Sequence, residues 1–193
     1  MTDDGRPAEV RVGSATDGLT PISSAKRSVG ATPSQWLALT VIAVAALFAD
    51  QVTKHIVASE LMLDDEVRAI GPLYIHHVQN SGIAFGFFAS ATPIVIALTA
   101  LALGWMLLFF AHSGARHPIL PLGLGLVIGG SLSNLVDRVR LGHVTDFLDL
   151  RFWPAFNLAD SFIVIGVVLL FGALLVGERT SATPPVDAPA ART

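Results

Sequence analysis

Four mostly apolar stretches separated by short polar segments dominate the chain. A helix rises about 1.5 Å per residue, so about 20 residues cross the roughly 30 Å of bilayer hydrocarbon. The first stretch begins at Trp36 and is apolar as far as Ala49, after which Asp50, Lys54 and His55 interrupt it. The second is uninterrupted and opens with Pro93, where a missing N–H costs nothing. The third carries Gly123, Gly125, Gly129, Gly130, Ser131 and Ser133, small residues that let membrane helices approach closely, which predicts that it is the most enclosed. The fourth opens with Asn157 and Asp160 in its first turn and is apolar from Phe162 onward. The pattern predicts helices over residues 36–57, 92–111, 118–136 and 157–176. The first has the apolar length of a signal peptide, but 35 residues precede it and no small-x-small site directly follows, so it reads as a retained helix.

Residues 1–35 and 177–193 are polar and Pro-containing, and both read as disordered tails. Connections 58–91 and 137–156 emerge on one side of the membrane, and 112–117 on the other. Within 67–78, β-branched and aromatic residues gather around Gly71-Pro72, which predicts a short hairpin. The connection 60–91 is long, with Gly71, Gly82 and Gly86 as hinge points, and reads as a lid.

Composition narrows the function classes. The 193 residues are 52% hydrophobic and 14% charged, which excludes an ordinary soluble domain and a disordered chain. The net charge of -3 offers no basic surplus for nucleic acid. With no cysteine, thiolate catalysis, disulfides and cysteine-bound metals are all excluded. Near the span ends, Lys26, Arg27, Arg116 and Arg179 on one side balance Arg68, Arg138, Arg140 and Arg151 on the other. The positive-inside rule therefore leaves orientation open.

Ionisable groups in or beside membrane spans are costly, and so are functional candidates. Asp50 and Lys54 stand four apart on one helix face, the spacing of an ion pair. Asn134, Asp137 and Arg138 cluster at the end of the third helix, where they serve either as an interfacial anchor or as a substrate-binding group. Asp146 and Asp160 each sit among apolar residues at the membrane boundary, where carboxylates resist ionisation. Brought together, such a pair splits its titration, one member holding a proton while the other accepts one from water. Asp149 is an alternative partner. The six histidines make no metal site, since adjacent His76 and His77 point to opposite faces of a strand. No serine lies in a nucleophile-elbow context. On these residues an aspartyl peptidase, a small proton- or ion-coupled transporter and a structural subunit all remain open. The absence of an internal repeat and the clustering of polar residues at one face weigh against a transporter.

Five motifs in order resemble the lipoprotein signal peptidases, or signal peptidase II: DQVTK at 50–54, NSGIAFG at 80–86, GGSLSNLVDR at 129–138, VTDF at 144–147 and FNLADS at 156–161. The resemblance covers about residues 36–176. It implies an all-α membrane protein of four transmembrane helices with a small extracytoplasmic β-hairpin/loop subdomain, multi-pass in the bacterial inner membrane, both termini cytoplasmic and the active site facing outward. Asp146 and Asp160 would be the catalytic dyad. Asn80, Asn134, Arg138 and Asn157 would line the substrate site, with Asp50, Lys54 and Asp137 supporting it. The implied partners are prolipoproteins bearing diacylglyceryl-cysteine, cut just before that cysteine, and membrane lipids. No cofactor, metal or nucleic acid is expected, and the chain is expected to act as a monomer. At one position the chain departs from the family pattern: the residue before the Asn134 asparagine, usually Gly, is Ser133.

Overall fold

The structure, a computed structural model, describes residues 30–81, 92–113 and 118–181, with 176–181 described by backbone alone. Four helices are long and apolar enough to cross a membrane. The element order is α1 Pro33–Glu60, β1 Glu66–Ile70, β2 Leu73–Asn80, α2 Thr92–Ser113, α3 Leu120–Leu141, β3 Val144–Asp149 and α4 Leu158–Ser181.

Local signals explain where the helices begin and end. Thr32 accepts the Gln35 N–H while the Gln35 side chain accepts the Thr32 N–H, a reciprocal cap, and Pro33 supplies a preset helical φ. Hence α1 starts before the apolar run does, and residues 33–35 belong to the helix rather than to a tail. At the other end of the chain, α4 runs through Ser181, so residues 177–181 are also helical. α3 continues to Leu141, five residues past the expected end at 136, and so holds Asp137 and Arg138 well inside the helix. Gly142 ends it with φ 79°, donating its N–H to the Arg138 carbonyl, a left-handed turn that glycine adopts without steric cost. The remaining expected tail residues, 1–29 and 182–193, and the hinge positions Gly82 and Gly86 lie outside the described residues.

α3 is the hub. It packs against α1, α2 and α4, and 61% of its apolar window is buried, against 22%, 11% and 17% for α1, α2 and α4. Its glycines make this possible. A Cβ on Gly125 would meet Ile42 on α1 at 2.9 Å, one on Gly129 would collide with the Ala43 carbonyl oxygen, and one on Gly130 would meet the Ala159 carbonyl at 2.5 Å. At the end of the bundle where α1 begins, the Ala31 N–H donates to the Ala111 carbonyl, and Trp36 meets Phe110 edge to face at 4.9 Å. The outward faces of α1, α2 and α4 carry exposed Leu, Val, Ile and Phe, the surface that a bilayer solvates.

The opposite end carries a three-stranded antiparallel sheet in the order β1-β2-β3. The expected hairpin is β1 and β2, turning at Gly71, so residues 66–70 and 73–80 of the connection read as a lid are paired strand. The third strand, β3, lies within the connection expected over 137–156. Its residues are buried at five of six positions, so it lacks the alternation of a half-exposed strand.

Because the Gly129 contact is with α1 backbone, which cannot step aside like a flexible side chain, overpacking there has no cheap relief. Gly129→Ala should cost about 1–3 kcal/mol of stability, read as a lower melting temperature of the detergent-solubilised protein.

Candidate active site

The site forms where α3, the end of α1, the start of α4 and β3 converge. Asp146 sits on β3 opposite Val78 of β2, which makes Asn80 its diagonal neighbour on the same sheet face. Asn80 Nδ2 donates to Asp146 Oδ2 at 2.9 Å. The chain then leaves β3, turns through Arg151 at φ 69° and returns antiparallel, with Phe147 and Leu148 N–H donating to the Phe156 carbonyl and Phe156 N–H donating to Leu148. This bridge carries Asn157 back beside Asp146. Asn157 Nδ2 donates to Asp146 Oδ1 at 2.7 Å.

Asn157 is also the N-cap of α4. Its Oδ1 accepts the Asp160 N–H at 3.0 Å, and its own N–H donates to Asp160 Oδ2 at 3.2 Å. This is a capping box with a carboxylate in the third helical position, where the helix dipole favours negative charge. One residue, Asn157, therefore holds both aspartates, although fourteen positions separate them in sequence.

A buried ionic cluster lies behind them. Lys54 Nζ is 2.6 Å from Asp50 Oδ2, 2.8 Å from Asp137 Oδ2 and 2.8 Å from Asn134 Oδ1. An ammonium only donates, so Lys54 fixes which end of the Asn134 amide faces it and turns the NH₂ toward Asp160. Asn134 Nδ2 donates to Asp160 Oδ1 at 2.8 Å, while its oxygen also accepts from Asn157 Nδ2 at 3.2 Å. Asp50 accepts the Ala159 N–H at 2.9 Å and so satisfies a second orphan amide of α4. Asp137 accepts from Gln51 Nε2 at 2.7 Å and from the Thr145 N–H at 3.4 Å, tying α3 to α1 and β3.

Ser133 is fully buried inside this cluster. Its hydroxyl donates to Asp50 Oδ2 at 2.7 Å and accepts from Gln51 Nε2 at 2.9 Å. The extra side chain is thus bound by polar partners rather than forced into an apolar contact. Gln51 and Thr145 stand inside the DQVTK and VTDF motifs, but their roles depend on α1 and β3 meeting α3. Arg138 stands at the edge of the site: Nη1 donates to the Asn134 carbonyl at 3.3 Å, and Nε is buried without a hydrogen-bond partner among the described residues.

Burial pushes the Asp146 carboxyl up to about 6, with the charge of Asp160 adding to the rise and the Asn80 and Asn157 hydrogen bonds opposing it. Asp149, weighed above as the alternative partner, is otherwise engaged. It accepts the Arg151 N–H at 2.7 Å and pairs with His76 Nδ1 at 3.0 Å. The backbone N–H of Arg151 is the largest cause holding its carboxyl below the usual range. Ligand atoms of Glu66, His76 and Asp149 lie within 4.8 Å of one another, a grouping the sequence did not reveal. Arg151 already answers its charge, with Nη2 2.6 Å from Glu66 and its guanidinium over the Tyr74 ring. His77 points the other way, its Nδ1 2.9 Å from the Leu61 carbonyl.

The family model for signal peptidase (SPase) II matches residues 42–176. The chain belongs to the signal peptidase II family. A lipoprotein signal peptidase of Moorella thermoacetica is 39% identical over 150 residues, covering 76% of this chain and 97% of that one. Another, from Symbiobacterium thermophilum, is 40% identical over 145 residues, 72% of this chain and 95% of its own. The fold is similar to that of a bacterial membrane enzyme solved by the in meso method at 2.3 Å, with TM-score 0.72 and 29% identity over 83% of this chain and 99% of that one. These likenesses make the chain a multi-pass membrane peptidase and give the transporter reading no support.

Removing one member of a buried ionic cluster leaves its partners uncompensated. Lys54→Met should therefore cost about 3–5 kcal/mol, whereas Ser133→Ala, which removes one hydroxyl, should cost about 1–3 kcal/mol. Chemical denaturation in a fixed detergent ranks the two.

Proposed function

We propose that this signal peptidase II family member is an aspartyl endopeptidase that releases signal peptides from prolipoproteins, cutting before a cysteine that bears diacylglycerol. The observation that carries the reading is the pair Asp146 and Asp160 held around Asn157 at one end of the bundle, with neutral amides as their nearest donors. Metal ligands are not needed for this chemistry. Amide hydrolysis requires a base for water and an acid for the carbonyl oxygen and leaving amine, and an asymmetric carboxyl pair supplies both.

Burial favours the proton on Asp146. Asp160 takes a proton from water as the water oxygen bonds to the scissile carbonyl carbon, while Asp146 gives its proton to the carbonyl oxygen. Collapse of the tetrahedral intermediate returns that proton to Asp146. The C–N bond then breaks, and the amine leaves with the proton held by Asp160. Asn80 and Arg138 flank the dyad as groups for the substrate backbone. Asp50, Lys54 and Asp137 act from behind, through Asn134 and the start of α4. Both termini are assigned to the cytoplasm and the sheet end to the outer face, where a lipid-anchored substrate presents its cleavage site at headgroup depth. The working unit is a monomer.

Purified protein given a diacylglyceryl-modified prolipopeptide should release the signal peptide without added metal, and chelator should not slow it. Asp146→Asn and Asp160→Asn should each abolish turnover, because an amide neither activates water nor exchanges the proton; turnover in either variant refutes the dyad. On the alkaline side, kcat/KM should fall as the dyad loses its proton, with a limb near the Asp146 value of about 6. The Asn80 hydrogen bond favours the carboxylate, so its removal favours the acid. Asn80→Ala should therefore move that limb to higher pH and lower kcat/KM at least about tenfold, roughly 1.4 kcal/mol, with an unchanged melting temperature.

A further inference from the structure

Beside Asp160, between the 150–156 segment and the first turns of α4, lies an apolar groove of about 460 Å³. Phe152, Trp153 and Phe156 form one wall, Val164 and Ile165 the other, and Asp160 also lines it. Ser161 donates its hydroxyl to the Asn157 carbonyl, which leaves that wall without a free donor. Phe152, Trp153 and Val164 are 77%, 63% and 62% exposed, so the groove opens sideways onto the surface that faces lipid. Aromatic rings at this level match the membrane interface.

We propose that this groove is the subsite for one acyl chain of the substrate's diacylglyceryl group. The inference rests on the peptidase reading and adds to it a place for the lipid. Two carbons separate the lipidated sulfur from the scissile nitrogen, so a substrate whose carbonyl meets Asp160 must begin its lipid beside Asp160. The groove takes in Asp160 and follows α4 from there as far as Ile165, about 7.5 Å of helix rise, which leads into the bilayer. A helical signal segment is about 10 Å across with its side chains, whereas an unbranched chain needs only a narrow slot. An acyl chain anchored there fixes the depth and register of the cysteine relative to the dyad.

The test uses lipopeptides of one sequence whose acyl chains run from six to sixteen carbons, at a fixed detergent ratio. For the wild type, kcat/KM should rise at least about tenfold across the series as more methylenes are buried. Val164→Trp, which fills the groove, should flatten that rise. Val168→Trp, one turn further along the same exposed helix face, should keep it. An unchanged chain-length dependence in Val164→Trp overturns the groove assignment while cleavage itself persists. Failure of the wild type to cleave any lipopeptide overturns the peptidase reading and the groove with it. A second measurement is independent of turnover. A diazirine on the acyl chain of a lipopeptide bound to the Asp146→Asn protein should label the 150–156 segment and the start of α4. Labelling confined to α1 or α2, or equal labelling by a diazirine phospholipid carrying no peptide, also overturns it.

Discussion

The shared ammonium of Lys54 is the constraint on which this end of the molecule depends. Two buried carboxylates and one cation leave a net negative charge inside the bundle, and such a group persists only where every lone pair finds a donor. Those donors come from four elements: the Ser133 hydroxyl on α3, Gln51 on α1, the Ala159 amide on α4 and the Thr145 amide on β3. Satisfying the charge thus fixes the relative positions of the same elements that carry Asp146, Asn157 and Asp160. Close packing through Gly125, Gly129 and Gly130 is the complementary condition, because only contact at backbone distance brings α1 and α4 near enough to α3 for these bonds.

The secondary structure that supports the two aspartates is unequal. Asp160 belongs to a helix start, and its carboxylate completes a cap that any helix would benefit from. Asp146 belongs to a buried strand whose geometry depends on pairing with β2 on one side and on the Phe156 bridge on the other. The first is locally determined and the second is tertiary. Their meeting depends on one polar side chain, Asn157, that serves a helix and a strand at once.

The same distinction explains what the sequence disclosed. The spans were legible because hydrophobic length is a local property, and the enclosure of α3 because small residues have few other uses in a membrane helix. The β1–β2 hairpin was legible from Gly71-Pro72 and its β-branched flanks. β3 was not, because a strand buried on both faces carries no alternation, and VTDFLD also contains two charges. The pairing at Asp50 and Lys54 was visible as an i, i+4 spacing. The third member, Asp137, and the contributions of Gln51, Ser133 and Thr145 required knowing which helix faces which. Helix ends were misjudged for a related reason: α3 extends past its apolar run because Asp137 is internally paired, so the polarity that signalled an end marks an interior contact.

The ion pair within α1 bears on how the protein is made. A chain emerges N-terminus first, so α1 enters the bilayer before α3 or α4 exists to satisfy Asp50 and Lys54. An isolated charge at that depth is costly. Lying one turn apart on one helix, the two neutralise each other within the segment that carries them. The helix can therefore be inserted as a locally balanced unit, and Asp137 and the α4 amides join a pair already in place. Assembly of the bundle becomes a matter of adding partners to an existing charge pair rather than rescuing a lone one.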